Sequence, residues 1–432
     1  MTMIASLYSD FIQSTGISTD TRQISKDCLF IALKGANFNG NLFAKQALEQ
    51  GAYKVVVDEE AVVESDDYIL VDDTLIALQQ LATYHRRQLN IPIIGITGTN
   101  GKTTTKELVN AVLSSKYNVF ATQGNFNNHI GVPLTLLSMN DKTEVGVVEM
   151  GANHLGEIAD LCLIAEPNYG LITNVGKAHL EGFGSFEGVM RTKSELYRYV
   201  ENNLGTIFIN KDNVYLQKML GEGASLYTYG KDETNNISIE RVANSANVNF
   251  SCKYNNEVLN IDSNLIGGYN LENLLAAIAI GCHMGVNGKD IENAIANYLP
   301  NNNRSQLVIS QKNKIIFDAY NANPTSMMAA LENFKEMAEK DKVVILGEMK
   351  ELGEDSLKEH KAIVDFLRNN PIRRSILIGD NYKNLVQGID NADWYPDVNK
   401  AIECLQESPI SNCFILVKGS RSNRLENLKD IL

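Results

Sequence analysis

The chain has 432 residues, 44% of them hydrophobic and 21% charged, which excludes a disordered or low-complexity protein; at about 100 to 200 residues per domain it predicts three domains with cores of their own. A formal net charge of -13, from 39 Lys and Arg against 52 Asp and Glu, argues against nucleic acid or an anionic membrane as main partner, so any anionic ligand must be held by a local pocket. The amino terminus MTMIASLYSDFIQSTG lacks the basic start and apolar run of a signal peptide, and no later window holds about eighteen uninterrupted apolar residues, so a cytoplasmic chain without stable membrane insertion is expected.

Residues 1–85 combine β-rich runs, Cys28–Leu33 and Tyr53–Val57, with a helix predicted around Asn41 to Gln50, and read as a small α/β domain. The segment Asp73 to Leu89 has the spacing of an amphipathic helix, with Pro92 just beyond it. From there, over 86–299, strand runs at Ile93–Thr97, Val145–Glu149, Gly170–Asn174 and Thr206–Asn210 alternate with helical stretches, which predicts βαβ units and a mainly parallel sheet. Leu226 to Asp262 reads as short antiparallel strands, and Asn270 to Met284 as a helix. Pro300 and Asn301–Asn303 read as a linker to a third, Rossmann-like domain, 300–432, with strands at Lys314–Asp318, Lys342–Gly347, Ser375–Gly379 and Cys413–Lys418. The six scattered cysteines have no metal-type spacing and read as free thiols.

The strongest motif is Gly95-Ile-Thr-Gly98-Thr99-Asn100-Gly101-Lys102-Thr103, followed by Thr104, between an apolar strand and a helix. Glycines there let backbone N–H groups close on phosphate oxygens at a helix N-terminus, Lys102 reaches the terminal phosphates, and the Thr103 hydroxyl ligates magnesium. The first glycine lies six residues before Gly101, one out of place for G-x-x-x-x-G-K-[ST]. Taken alone, the loop specifies a nucleoside triphosphate and nothing more.

With that offset glycine, T-G-T-N-G-K-T resembles the Mur ligase family of ATP-dependent amide-bond ligases, over essentially the whole chain. Thr103–Glu107, Asn125–Leu134, Asp318–Pro324 and Leu346–Gly353 resemble the family member type that adds D-alanyl-D-alanine to UDP-N-acetylmuramoyl-tripeptide. The resemblance implies a monomeric cytoplasmic enzyme of peptidoglycan synthesis using ATP and Mg2+ through an acyl phosphate. Within it, Lys102, Glu149, His179 and Lys193 are the expected catalytic residues, with Thr103, Glu149, His179 and Lys193, the last carbamylated, around magnesium.

The same resemblance assigns Asn273 to adenine with Asn270 as its support, and Tyr269 stands where relatives commonly have histidine. Arg304 and Asp318 are expected on the ATP phosphates and ribose. Thr21, Arg22 and Lys34 are assigned to the uridine diphosphate; Asn39-Gly-Asn41 replaces the D-G-H of relatives. Asn125, Asn127, Asn128 and His129 are assigned to the sugar-peptide, and Tyr320, Asn321 and Asn323 to the incoming dipeptide, with Lys418 and Arg421 placed to meet a terminal carboxylate. The residues leave two alternatives: a sister ligase, of the third-residue or folylpolyglutamate synthase type, and a regulatory or motor ATPase that makes no bond.

Overall fold

The computed structural model describes residues 3–243, 247–255, 257–300 and 304–432; of the expected linker, Asn301–Asn303 lie outside the described residues. Three main sheets follow one another along the chain, and a two-stranded antiparallel pair, Lys34–Gly35 with Phe38–Asn39, falls within the first domain. The first main sheet is parallel and four-stranded, in the order Ile17–Ser18, Leu29–Ile31, Lys54–Val57, Tyr68–Leu70. The helix expected over 41–50 is a 3-10 turn, Gly40–Phe43, running into the α-helix Ala44–Glu49.

The helix Thr74–Leu89 starts where the Asp73 carboxylate accepts the Ile76 N–H at 2.8 Å, and ends at Asn90 in the left-handed conformation. Its buried residues Ala77, Leu78, Leu81, Ala82 and His85 form one stripe. That stripe belongs to a core shared by the first sheet and the central one, and Arg86 beside it donates to Glu166 O at 3.0 Å and Asn168 Oδ1 at 2.9 Å.

Nine strands make the central sheet, in the order Glu257–Ile261, Phe250–Tyr254, Ile237–Val242, Ser225–Gly230, Thr206–Asn210, Tyr169–Ile172, Ile93–Thr97, Val145–Glu149, Val119–Ala121. Ile94, Ile96, Val145 and Val147 face the helices Lys102–Leu113 and Asn270–His283, whereas Ile93 and Val148 face Glu157–Ala165 and Phe186–Asn202. Where the sheet is covered on both faces, as at Ile93–Thr97 and Val145–Glu149, every position is buried, which is why these strands read as hydrophobic runs.

One expectation is corrected here. Ser225–Gly230 is not antiparallel to its neighbours: it runs parallel to both Thr206–Asn210 and Ile237–Val242, and antiparallel pairing begins only at Phe250–Tyr254. A full parallel crossover takes a dozen or more residues. The short connection 231–236 suffices because Ile237 and Ser238 pair only with the last two residues of the preceding strand, Tyr229 and Gly230.

The third sheet has six strands, ordered Gln306–Ile309, Lys314–Asp318, Phe414–Lys418, Lys342–Gly347, Arg374–Ile378, Ala392–Tyr395, all parallel except the first pair. Its helix Pro324–Glu336 opens with a capping box at Asn323, whose carboxamide oxygen accepts the Ser326 N–H. All six cysteines are free. Among the described residues no helix is long and apolar enough to cross a membrane.

Candidate active site

Open α/β sheets present ligands at the carboxyl ends of their strands. In the central sheet Ile93–Thr97 lies between Val145–Glu149 and Tyr169–Ile172, and the loops leaving all three line one cleft of about 990 Å³. The opposite wall comes from the third domain.

The phosphate loop Gly98–Thr103 is fixed from the neighbouring strand. Thr99 N donates to Asn174 O at 2.9 Å, Asn100 N to Asn174 Oδ1 at 3.0 Å, and Thr173 Oγ1 to Asn100 O at 2.6 Å. Two glycines are required by shape. Gly98 sits at φ +147°, where a Cβ would lie 1.9 Å from Thr173 Oγ1, and Gly101 at φ +78°, where it would lie 2.4 Å from Asn273 Oδ1. Lys102, Thr103 and Thr104 open the helix Lys102–Leu113 and line the cleft. The Lys102 ammonium folds back on the loop, donating to Gly98 O at 2.7 Å and Thr99 O at 3.3 Å.

Burial lowers the Lys102 pKa, and the Arg304 charge adds to that; burial, with Lys102 nearby, brings Lys193 down to about 7. The Arg304 guanidinium stacks over the Tyr320 ring, 3.8 Å from its centroid, with its buried Nε lacking a hydrogen-bond partner. Lys102, Lys193 and Arg304, offset in part by the Glu149, Glu157 and Glu195 carboxylates, supply the positive charge a polyphosphate needs.

Glu149 ends its strand at 2% exposure; Oε1 accepts from Asn127 Nδ2 at 2.8 Å, while the buried Oε2 has no hydrogen-bond partner. An orphaned carboxylate oxygen beside a phosphate loop fits magnesium, which is commonly held by one or two carboxylates together with substrate phosphates. Among the described residues no three His, Cys, Asp or Glu side chains converge on one point. His179 lines the cleft; burial lowers its pKa, against the opposing Glu351 carboxylate that meets its Nδ1. Lys193 is buried behind the cleft wall, its ammonium 5.6 Å from the Phe183 ring centroid.

Asn273 accepts from Thr105 Oγ1 at 3.1 Å and donates to Asn270 Oδ1 at 2.9 Å, and Asn270 donates to Ile266 O at 2.8 Å. That chain gives Asn270 a supporting place behind Asn273. Tyr269, next along, bonds Ser305 Oγ at 2.7 Å, so it bridges the central domain to the segment that carries Arg304.

Asp318 lies in register with Lys418, and the buried Lys418 ammonium donates to Asp318 Oδ2 at 2.6 Å. Lys418 lines the main cleft with its charge on Asp318, and Arg421 of the same segment faces an adjoining pocket of about 240 Å³. Tyr320, Asn321 and Asn323 line the main cleft, and so do Asn125, Asn127, Asn128 and His129. The Asn128 oxygen accepts from Ile130 N and Gly131 N at the start of a helix, and His129 O accepts from Gln79 Nε2.

Thr21, Arg22 and Lys34 are not on the cleft wall. Arg22 is exposed and folds onto Asp20 at 2.7 Å, and Lys34 pairs with Asp58 at 3.0 Å. Asn41 is buried, donating to Asp58 Oδ1 at 2.7 Å and to Asn39, which makes it a structural tie. Sequence reasoning missed Asn153, His154 and Glu351 on the wall; Glu351 belonged to a quoted motif, but nothing local signalled that it reaches another domain.

This constellation defines a nucleoside-triphosphate enzyme whose phosphate loop faces a second α/β domain across one cleft. Three family models match in tandem: Mur ligase family, catalytic domain, over residues 13–97; Mur ligase middle domain over 96–281; and Mur ligase, glutamate ligase domain, over 303–421. The chain belongs to the Mur ligase family.

It is 35% identical over 429 residues to the UDP-N-acetylmuramoyl-tripeptide--D-alanyl-D-alanine ligase of Bacillus subtilis (strain 168), covering 96% of this chain and 93% of that one. Among solved structures it resembles MurF from Acinetobacter baumannii, with TM-score 0.87, 29% identity and 96% and 92% of the two chains covered. It also resembles MurF ligase from Thermotoga maritima in complex with ADP, with TM-score 0.86, 26% identity and coverage of 98% and 97%.

Proposed function

We propose that this chain is the ligase that joins D-alanyl-D-alanine to UDP-N-acetylmuramoyl-tripeptide at the cost of ATP, in peptidoglycan precursor synthesis. The observation that carries the reading is the meeting of the phosphate loop, the orphaned Glu149 oxygen and the Tyr320–Asn323 segment in one cleft, in a chain aligned end to end with ligases of that name.

The tripeptide carboxylate attacks the γ-phosphorus of ATP and ADP leaves. The dipeptide amine then adds to the acyl phosphate carbonyl, loses a proton, and phosphate departs as the amide forms. Lys102 and Arg304 offset the charge that develops on the transferring phosphoryl group, and the loop N–H groups fix its position. Magnesium held by Thr103, Glu149, His179 and a carbamylated Lys193 supplies further charge neutralisation when bound. A Lys193 pKa of about 7 supports that modification, because carbamate forms from the neutral amine. Asn273, backed by Asn270, serves adenine and Asp318 the ribose. Asn125, Asn127, Asn128 and His129 serve the sugar-peptide, with Thr21, Arg22 and Lys34 serving the uridine diphosphate on the first domain. The chain works in the cytoplasm as a monomer, with domain divisions near residues 85 and 300.

The test is isotopic. Tripeptide labelled with 18O in its terminal carboxylate transfers one labelled oxygen to the released phosphate if an acyl phosphate forms; unlabelled phosphate would contradict the mechanism.

A further inference from the structure

His179 and Glu351 face each other from different domains, and both are held in a conformation that non-glycine residues rarely adopt, at φ 49° and 62°. His179 precedes the short helix Leu180–Phe183, and its backbone oxygen accepts from Gly182 N and Phe183 N, so the strained turn fixes where its ring stands. Nδ1 is buried without a formed hydrogen bond and lies against the Glu351 carboxylate, the acceptor to which it can donate. A hydrogen donated from Nδ1 leaves Nε2 with its lone pair, and a carboxylate behind a histidine in this way sets both tautomer and ring orientation.

Glu351 is presented by the loop Glu348–Gly353, and that loop hangs on a histidine of its own domain. His360 is fully buried; Nε2 accepts the Met349 N–H at 3.0 Å, Nδ1 bonds Ser356 O at 2.7 Å, and the ring stands edge-on to Tyr382. Those two bonds fix the hydrogen on Nδ1. Gly353 brings the far end of the loop against Glu181 of the central domain.

We infer that Glu351 is a positioning residue for the ligase reaction, orienting His179 only when the third domain is closed on the central one, and that His360 holds Glu351 in place. The inference rests on the ligase reading above. Closure has other supports, Asn323 to Asn100 and Lys177 to Thr325 and Glu359, so loss of Glu351 releases the His179 ring without opening the cleft.

The test combines kinetics with a spectroscopic readout. Glu351→Ala lowers kcat about tenfold or more with the KM for ATP little changed, Glu351→Gln restores most of it, and Glu351→Ala adds no further loss in a His179→Ala background. His360→Leu reproduces the Glu351→Ala defect, and His360→Gln, which can still accept the Met349 N–H, does not. In 15N-histidine-labelled protein, long-range 1H–15N correlations report the Nδ1–H tautomer at His179, identified by its loss in His179→Ala, and mixed tautomers in Glu351→Ala. Additive losses, or an unchanged His179 tautomer in Glu351→Ala, overturn the inference while wild-type amide formation still stands. A wild-type enzyme that forms no amide removes the ligase reading and the inference with it.

Discussion

Asn323 of the third domain donates its carboxamide N–H to Asn100 Oδ1 in the phosphate loop at 2.8 Å, while its own oxygen caps the helix Pro324–Glu336. One side chain thus starts a helix and ties two domains at the nucleotide site. Asn323→Asp keeps the capping oxygen but faces Asn100 Oδ1 with a carboxylate. Its thermal midpoint is expected near wild type while kcat/KM falls about tenfold. Asn323→Ala loses the cap as well, at about 1 kcal/mol of stability. Comparing midpoints and kinetics of the two variants separates the roles.

Gly98→Ala and Gly101→Ala are expected to abolish nucleotide binding, since each Cβ would enter the space of a fixed neighbour, Thr173 or Asn273. Gly223→Ala is the control: φ is +86° there but nothing lies within 4 Å, so it costs about 1 kcal/mol of stability and leaves ATP binding alone. Calorimetric titration with ADP reads the difference.

Glu149→Gln retains an oxygen for Asn127 and therefore folds, but removes the charge from the buried orphan position. The magnesium concentration giving half-maximal rate is expected to rise about tenfold or more, with the thermal midpoint little changed. An unchanged magnesium dependence would remove Glu149 from the metal site.

Four histidines, His85, His179, His283 and His360, have pKa values pushed down by burial. The unfolded chain then binds protons from about pH 6.5 downward where the folded chain does not, so stability present above that pH falls as pH drops toward the folded values. Urea midpoints at pH 7.5 and 5.5 should differ in that direction, and by less in a His85→Gln variant.

Much of this architecture was legible because buried parallel strands are apolar throughout: Ile93–Thr97, Val145–Glu149, Thr206–Asn210, Lys314–Asp318 and Lys342–Gly347 have the expected bounds. The strand Gln306–Ile309 was not legible, because an edge strand that alternates partly buried and exposed residues looks like loop. Ser225–Gly230 was misread in direction, since direction depends on how a connection turns in space and not on composition.

The cleft residues of the phosphate loop were readable from glycine spacing and from the strand before it. Their partners were not. Asp318 and Lys418 are a hundred residues apart and meet only through strand register, and His179 and Glu351 only through domain docking. The first-domain residues Arg22 and Lys34 carry the right charge, but only the fold reveals that Asp20 and Asp58 already engage it.

The most direct test of the central claim is phosphate release from ATP with UDP-N-acetylmuramoyl-tripeptide and D-alanyl-D-alanine, each omitted in turn, followed by mass spectrometry of the product. Release that needs both substrates and yields the UDP-linked pentapeptide is the predicted result. Vigorous release with neither substrate present would contradict it and mark a regulatory or motor ATPase.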